Sequence, residues 1–86
     1  MFTIAELKEQ GEKIFKEYDF QKDGLLELHE LYPAVVKLYN TKQMLPPPYN
    51  FIIDTMKVVD KDSNKKIDQK EFMNLLLILN GYPAVM

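Results

Sequence analysis

Two twelve-residue stretches of this chain, residues 19–30 and 60–71, carry oxygen-bearing side chains at the same five places. Those residues, at the first, third, fifth, ninth and twelfth places, are Asp19, Gln21, Asp23, Glu27 and Glu30 in the first stretch and Asp60, Asp62, Asn64, Asp68 and Glu71 in the second. A loop wrapped around a hard cation presents alternate residues inward, and Ca²⁺ takes roughly six to eight oxygen ligands. The terminal glutamate can give both of its oxygens. The spacing therefore predicts one calcium site in each stretch.

The sequences on either side of the two stretches repeat with them. At a shift of 41 residues, the apolar pairs are Phe15 with Met56, Tyr18 with Val59, Leu26 with Ile67, Leu31 with Phe72, Val35 with Leu76 and Leu38 with Leu79. These offsets describe the inner face of a helix that enters each loop and of another that leaves it. One acidic string alone could be a solvated turn, but two in register between helical stripes favour a duplicated metal-binding unit.

The two stretches resemble EF-hand loops, and their arrangement is similar to one calmodulin-type lobe. The resemblance implies an all-α fold of paired EF-hands, with four helices and two calcium loops. It also implies a short antiparallel bridge between the loops, at Leu26 and Ile67. The backbone carbonyls of Leu25 and Lys66 complete the ligand sets that the resemblance implies, and Mg²⁺ is a potential competitor for the two ions.

The sixth position and the net charge distinguish the two loops. Gly24 stands in the first loop where the family's sharp turn needs positive φ, but Lys65 stands there in the second, at a cost of roughly 1–2 kcal/mol. The second loop also carries four lysines that bring its formal charge near zero, namely Lys61, Lys65, Lys66 and Lys70. We expect the first site to bind calcium at least as well, although Gln21 is neutral where the second loop has Asp62.

Helical periodicity and capping signals predict four helices, over about residues 4–18, 28–40, 49–59 and 69–79. Thr3 and Glu6 have the spacing of a capping box, while Asn80-Gly81 has the form of a helix stop. Glu27 and Asp68 precede the last loop residues by three, so each can cap the helix that follows. The predicted organisation is one domain with a first hand (about 3–40), a proline-rich linker (about 41–48), a second hand (about 49–80) and an apolar tail (81–86).

Glycine and proline residues add three local expectations. Gly11 is expected on the exposed middle of the first helix, where a bend is conceivable. Pro33 should kink the second helix, because it lacks the N–H that would bond to the carbonyl of His29. The segment with Pro46, Pro47 and Pro48 is favoured as a stiff spacer, and a ligand for a proline-recognising domain is the weaker alternative.

Composition bounds the remaining classes. A chain of 86 residues makes one small domain that can only marginally bury an adequate core. A net charge of −2 argues against nucleic acid binding, and the longest apolar run, Leu75–Leu79, is too short to span a membrane. Because there is no cysteine and no recognisable signal peptide, we expect an intracellular protein, cytoplasmic or cytoskeletal.

Catalysis is not expected. His29 is the only histidine, and the sequence fixes no base or orienting acid for Ser63. A hydrolase with paired carboxylates is formally open, but metal ligation accounts for the same acidic residues.

The function that these observations favour is a calcium sensor. Glu30 and Glu71 would be drawn toward the ions, and the helices they begin would swing to expose an apolar groove for an amphipathic partner helix. The predicted fourth helix is apolar nearly all round, so it must pack among several helices, line that groove or contact another domain or chain. The alternatives are a calcium-responsive assembly module of a cytoskeletal or larger multidomain protein, which could self-associate, and a calcium buffer.

Overall fold

The architecture is four helices and one short sheet, seen in a computed structural model that describes residues 2–60 and 65–83. In chain order the elements are α1 (Ile4–Tyr18), β1 (Leu25–Glu27), α2 (Leu28–Asn40), α3 (Tyr49–Val59), β2 (Lys66–Asp68) and α4 (Gln69–Leu79). The predicted all-α pair of EF-hands is confirmed, and so are the bounds of the four helices. Among the described residues, no helix is both long and apolar enough to cross a lipid bilayer.

The start of α1 is fixed by the predicted capping box. The Glu6 N–H donates to Thr3 Oγ1 at 3.1 Å, and the Thr3 N–H donates to Glu6 Oε1 at 2.9 Å. Phe2, just before this cap, is buried and packs edge-on against Tyr39, with the ring centroids 5.3 Å apart. Ile4, the first residue of α1, is 41% exposed. The apolar residue that anchors this end of the helix is therefore Phe2.

The two strands confirm the predicted bridge. They run antiparallel in the register Leu25↔Asp68, Leu26↔Ile67 and Glu27↔Lys66. The central pair, Leu26 and Ile67, is fully buried, so the middle of the bridge is anchored in the core. Each strand leads directly into a helix, which makes the bridge the fixed point from which α2 and α4 depart.

The expectation for Gly11 is wrong. Gly11 is buried in α1, and a Cβ atom there would lie 2.9 Å from Leu76 Cδ1 and 3.3 Å from Met73 Cε. Periodicity alone could not show this, because a residue without a side chain gives no hydrophobic signal. Gly11 instead allows α1 and α4 to approach closely.

Helix α4 is enclosed by its own lobe. Its six consecutive residues Phe72–Leu77 are buried, and the helix packs against α1 and α3. The rings of Phe15 and Phe72 meet with centroids 5.8 Å apart, joining the entering helix of one hand to the exiting helix of the other. Of the three arrangements expected for this apolar helix, packing among the helices of the lobe is the one that the structure has.

The segment that connects α2 to α3 lies between Asn40 and Tyr49. Helix α2 is continuous through Pro33 and ends at Asn40, and α3 begins at Tyr49 after Pro48 as its N-cap. The kink that Pro33 should cause stays a prediction.

The last helix ends with the predicted stop, and Tyr82, which follows it, contacts the N-terminal segment. Gly81 has φ +82°, and the Tyr82 N–H donates to the Leu77 carbonyl at 2.9 Å. The Tyr82 hydroxyl then donates to the Phe2 carbonyl at 2.7 Å. Of the predicted apolar tail, residues 84–86 lie outside the described residues.

Substituting Gly11 tests the close approach of α1 and α4. We expect Gly11→Val to lower the free energy of unfolding by about 1–3 kcal/mol more than Lys13→Val, because overpacking a core has a cost of that size. Lys13 is exposed on the same helix, so its variant has the same β-branched residue without the buried contact. Urea unfolding of both variants makes the measurement, and equal losses would contradict the packing assignment.

A second prediction concerns pH. Lys42 Nζ lies 2.7 Å from both carboxylate oxygens of Glu6. That bond, together with the Thr3 backbone N–H, lowers the pKa of Glu6 from 4.5 to about 2. Because the folded state has the lower pKa, the charged carboxylate stabilises it above pH 4.5, and this contribution disappears as the pH falls toward 2.

Glu6→Gln should therefore lower Tm near neutral pH, with the difference from the parent chain shrinking steadily under acid. Thermal unfolding across this pH range measures it, and Glu9→Gln, an exposed glutamate on the same helix, is the control. A difference that stayed constant with pH would show that charge is not the cause.

Candidate metal sites

The first loop opens with a buried carboxylate that is only half satisfied. Asp19 directly follows α1 and is 8% exposed. Its Oδ2 accepts a hydrogen bond from the Gly24 N–H at 2.9 Å. Its Oδ1 is buried and has no hydrogen-bond partner within residues 2–60 and 65–83. One oxygen of Asp19 thus holds the loop turn, and the other remains an acceptor without a donor.

The second loop repeats this arrangement atom for atom. Asp60 directly follows α3 and is also 8% exposed, and its Oδ2 accepts from the Lys65 N–H at 2.8 Å. Its Oδ1 is likewise buried without a hydrogen-bond partner in the described part of the chain. Two other predicted ligands of this loop, Asp62 and Asn64, lie outside the described residues.

The two unpartnered oxygens, Asp19 Oδ1 and Asp60 Oδ1, indicate whether the loops suit a cation. A buried acceptor without a donor costs on the order of 1–3 kcal/mol, and more when it is charged. A divalent cation that accepts oxygen ligands removes this cost, and oxygens are the donors that Ca²⁺ prefers. Both orphan atoms belong to the first position of a predicted site, Asp19 and Asp60. The donor chemistry of the described residues therefore fits calcium.

Hydrogen bonds within the first loop join several of the other predicted ligands. Gln21 Nε2 donates to Glu27 Oε2 at 3.1 Å, while Asp23 Oδ1 accepts from the Leu25 N–H at 3.0 Å. Glu30, which is buried, accepts from the Glu27 N–H through Oε1 at 2.9 Å. The Leu25 carbonyl belongs to β1. The loop is therefore pre-folded by the same side chains that are predicted to hold the ion.

In the second loop, the predicted cap of α4 is present in both directions. Asp68 Oδ1 accepts from the Glu71 N–H at 2.8 Å, and Glu71 Oε1 accepts from the Asp68 N–H at 3.0 Å. Lys66, whose carbonyl is the remaining predicted ligand, lies in β2, and its Nζ is 4.0 Å from Glu27 Oε1 across the bridge. One lysine of the second loop therefore offsets part of the negative charge of the first.

Sequence reasoning gave no metal role to His29, but the structure places it beside two predicted ligands. Ligand atoms of Glu27, His29 and Glu30 all lie within 4.8 Å of one another, and His29 Nε2 is 3.9 Å from Glu27 Oε2. Its position between the ninth and twelfth loop residues could have signalled this. Because imidazole suits zinc and copper better than calcium, His29 is not added to the predicted calcium ligands.

The two sixth positions share the same backbone conformation. Gly24 has φ +78° and Lys65 has φ +62°, so the lysine adopts the left-handed turn that the first loop makes with glycine. A Cβ atom on Gly24 would meet nothing within 4 Å. The conformation of the turn, and not a lack of space, is what favours glycine here.

Comparison with known proteins places these loops in a family. The family model described as an EF-hand domain pair matches residues 8–77. The EF-hand domain-containing protein D2 of Bos taurus is 35% identical over 72 residues, which cover 84% of this chain and 27% of that protein. The Homo sapiens protein of the same name is 33% identical over 72 residues, covering 84% and 28%. This chain therefore spans just over a quarter of the length of these relatives, and no solved structure matches it significantly.

Exchanging the residue type at the two turns should change stability in opposite directions. Lys65→Gly should raise the free energy of unfolding by up to about 1 kcal/mol, because relief of left-handed strain exceeds the added chain entropy of glycine. Gly24→Ala should lower it by about 1 kcal/mol for the converse reason. Urea unfolding in the presence of a calcium chelator measures both, and changes of the same sign would contradict the argument.

Proposed function

Because this chain belongs to the EF-hand domain-pair family, we propose that it is a calcium sensor that binds one Ca²⁺ in each of its two loops. Membership of this family implies calcium binding. The observation that best supports two sites is the matched pair of buried, partnerless oxygens on Asp19 and Asp60.

The proposed ligands are the residues at the predicted positions. They are Asp19, Gln21, Asp23, the Leu25 carbonyl, Glu27 and Glu30 for the first ion, and Asp60, Asp62, Asn64, the Lys66 carbonyl, Asp68 and Glu71 for the second. A bound cation would offset the mutual repulsion of the four carboxylates in each loop. Oxygen ligands of this kind also admit Mg²⁺, which we propose as a competitor.

The switch residues in this proposal are Glu30 and Glu71. Each lies in the first turn of its helix and accepts a backbone hydrogen bond from the ninth loop residue through Oε1. To give both oxygens to an ion, each carboxylate would have to reorient, and the helix start would follow it. Because Glu30 is only 2% exposed, reorienting its carboxylate would also disturb the residues packed around it.

Movement of α2 or α4 would uncover apolar surface. The buried side of α4, residues Phe72–Leu77, packs against α1 and α3, so a change in these contacts would expose a groove for an amphipathic helix of a partner protein. A depression of about 150 Å³ already lies beside the second loop. It is lined by Leu28, Ile53, Met56, Lys57, Asp60 and Lys65.

An assembly module is the second candidate. In this alternative, the module works within a cytoskeletal or larger multidomain protein; in the two relatives the matched region is 27% and 28% of the whole length, so there it is part of a longer chain. Sedimentation with and without calcium separates assembly from monomeric sensing. A buffer, the third candidate, would bind calcium with little exposure of apolar surface. Placement in the cytoplasm or on the cytoskeleton stays a prediction.

The test of the sites is calorimetric titration with calcium. We expect Glu30→Gln and Glu71→Gln each to weaken one of two binding events by at least about tenfold, because each removes a charged bidentate ligand. Glu12→Gln, an exposed glutamate on α1, is the control and should leave both events unchanged. Uptake unaffected by either loop variant would refute the site assignment.

The sensor mechanism has its own readout in the same samples. Fluorescence of a dye that binds apolar surface should rise on addition of calcium to the parent chain and rise less in both loop variants. Calcium uptake without a rise in fluorescence would favour the buffer.

A further inference from the structure

The segment between α2 and α3 contains a proline-rich motif that has no role in the proposed calcium binding. Residues 45–49 read Leu-Pro-Pro-Pro-Tyr, three consecutive prolines with a leucine before them and a tyrosine after them. We propose that this segment is a docking site for a proline-recognising domain of the WW class, which binds proline-rich segments on a polyproline II backbone, with Tyr49 after the prolines as its aromatic anchor.

Local sterics fix the backbone of this segment in the required form. Proline locks its own φ near −65°, and any residue that precedes a proline is driven to extended or polyproline II conformations. Leu45, Pro46 and Pro47 each precede a proline. Pro48 has φ −60° and ψ 152°, close to ideal polyproline II values. The three prolines are therefore favoured in the conformation that an aromatic-lined groove accepts, and Tyr49 follows them as the first residue of α3.

The exposed edge of the segment follows the threefold repeat of a polyproline II helix. Residues three apart share an edge, so Leu45 lies above Pro48 and Pro46 above Tyr49. Leu45 is 92% exposed and Pro48 is exposed as well, whereas Pro46 and Pro47 are half-buried, so a partner would reach the segment from the edge of Leu45 and Pro48. Tyr49 is 47% exposed, although its ring meets that of Tyr32 edge-on with centroids 5.1 Å apart.

The backbone of the segment offers acceptors to a partner. Within residues 2–60 and 65–83, no backbone N–H donates to the carbonyls of Leu45, Pro46 or Pro47. Proline-recognising grooves are lined by aromatic side chains, and the N–H of a tryptophan or the O–H of a tyrosine can donate to such carbonyls.

The segment is held at both ends, which lowers the entropic cost of binding. The Met44 N–H donates to the Tyr39 carbonyl at 3.0 Å, and the Ile52 N–H donates to the Pro48 carbonyl at 3.1 Å. A ligand that is ordered before it binds loses less conformational freedom in the complex. The role of the prolines as a spacer between the hands is compatible with this second use.

The experiment is calorimetric titration of the full 86-residue chain with an isolated WW domain that binds Pro-Pro-x-Tyr peptides. The parent chain should bind, and Tyr49→Ala and Pro47→Ala should each weaken binding by at least about tenfold, since aromatic anchors dominate interfaces of this kind. Phe51→Ala is the matched control, because Phe51 is 48% exposed on the first turn of α3 and lies outside the segment. It should change the affinity less than about twofold.

Several results would overturn the proposal. These are an absence of binding by the parent chain, an equal loss in the Phe51 variant, or tighter binding to an SH3 domain than to the WW domain. Binding of a peptide of residues 43–51 but not of the folded chain would overturn it too, because the segment would then be inaccessible. Circular dichroism of each variant confirms that its helices are intact, and the Pro47 variant leaves the ring contact of Tyr49 in place.

Discussion

The structure depends on one buried carboxylate in each loop and on the hydrogen bond that it accepts. Asp19 and Asp60 are buried at the ends of α1 and α3. One oxygen of each accepts a hydrogen bond from the backbone N–H of the sixth loop residue. That hydrogen bond closes the loop turn. The other oxygen, dry and unpartnered among the described residues, carries a free energy cost that only a cation or a donor could remove. The same two carboxylates thus hold the loop turns and leave a buried oxygen without a hydrogen-bond partner among the described residues.

The bridge and the helix starts turn these local sites into one unit. Leu26 and Ile67 pair at the centre of the sheet and are fully buried, so neither loop can shift without disturbing the core. Immediately after the bridge, the last proposed ligand of each loop lies in the first turn of a helix. In the proposed sensor, metal coordination and helix capping would compete for the same carboxylate oxygens, and this competition would couple a change at the loop to the orientation of a helix.

Sequence alone predicted the features that depend on short-range pattern. The helix bounds, the Thr3 capping box and the stop at Gly81 all follow from spacing, and the 41-residue repeat located both loops at once, whereas the pairing of Leu26 with Ile67 was implied by the family resemblance. Features that depend on tertiary contact escaped it. Gly11 has no side chain to signal burial, and Phe2 lies outside the helical repeat although it anchors the start of α1. His29 is a different case, because its place between Glu27 and Glu30 is a local signal that the sequence itself carries.

The hydrogen bond from the Tyr82 hydroxyl to the Phe2 carbonyl brings the first and last described segments of the chain within the reach of one tyrosine side chain. A domain whose two entry points are neighbours can be inserted into a loop of a host protein without forcing the host's own strands or helices apart. By the same geometry, a circularly permuted version, joined by a short linker and reopened at the proline connector, should keep both loops intact.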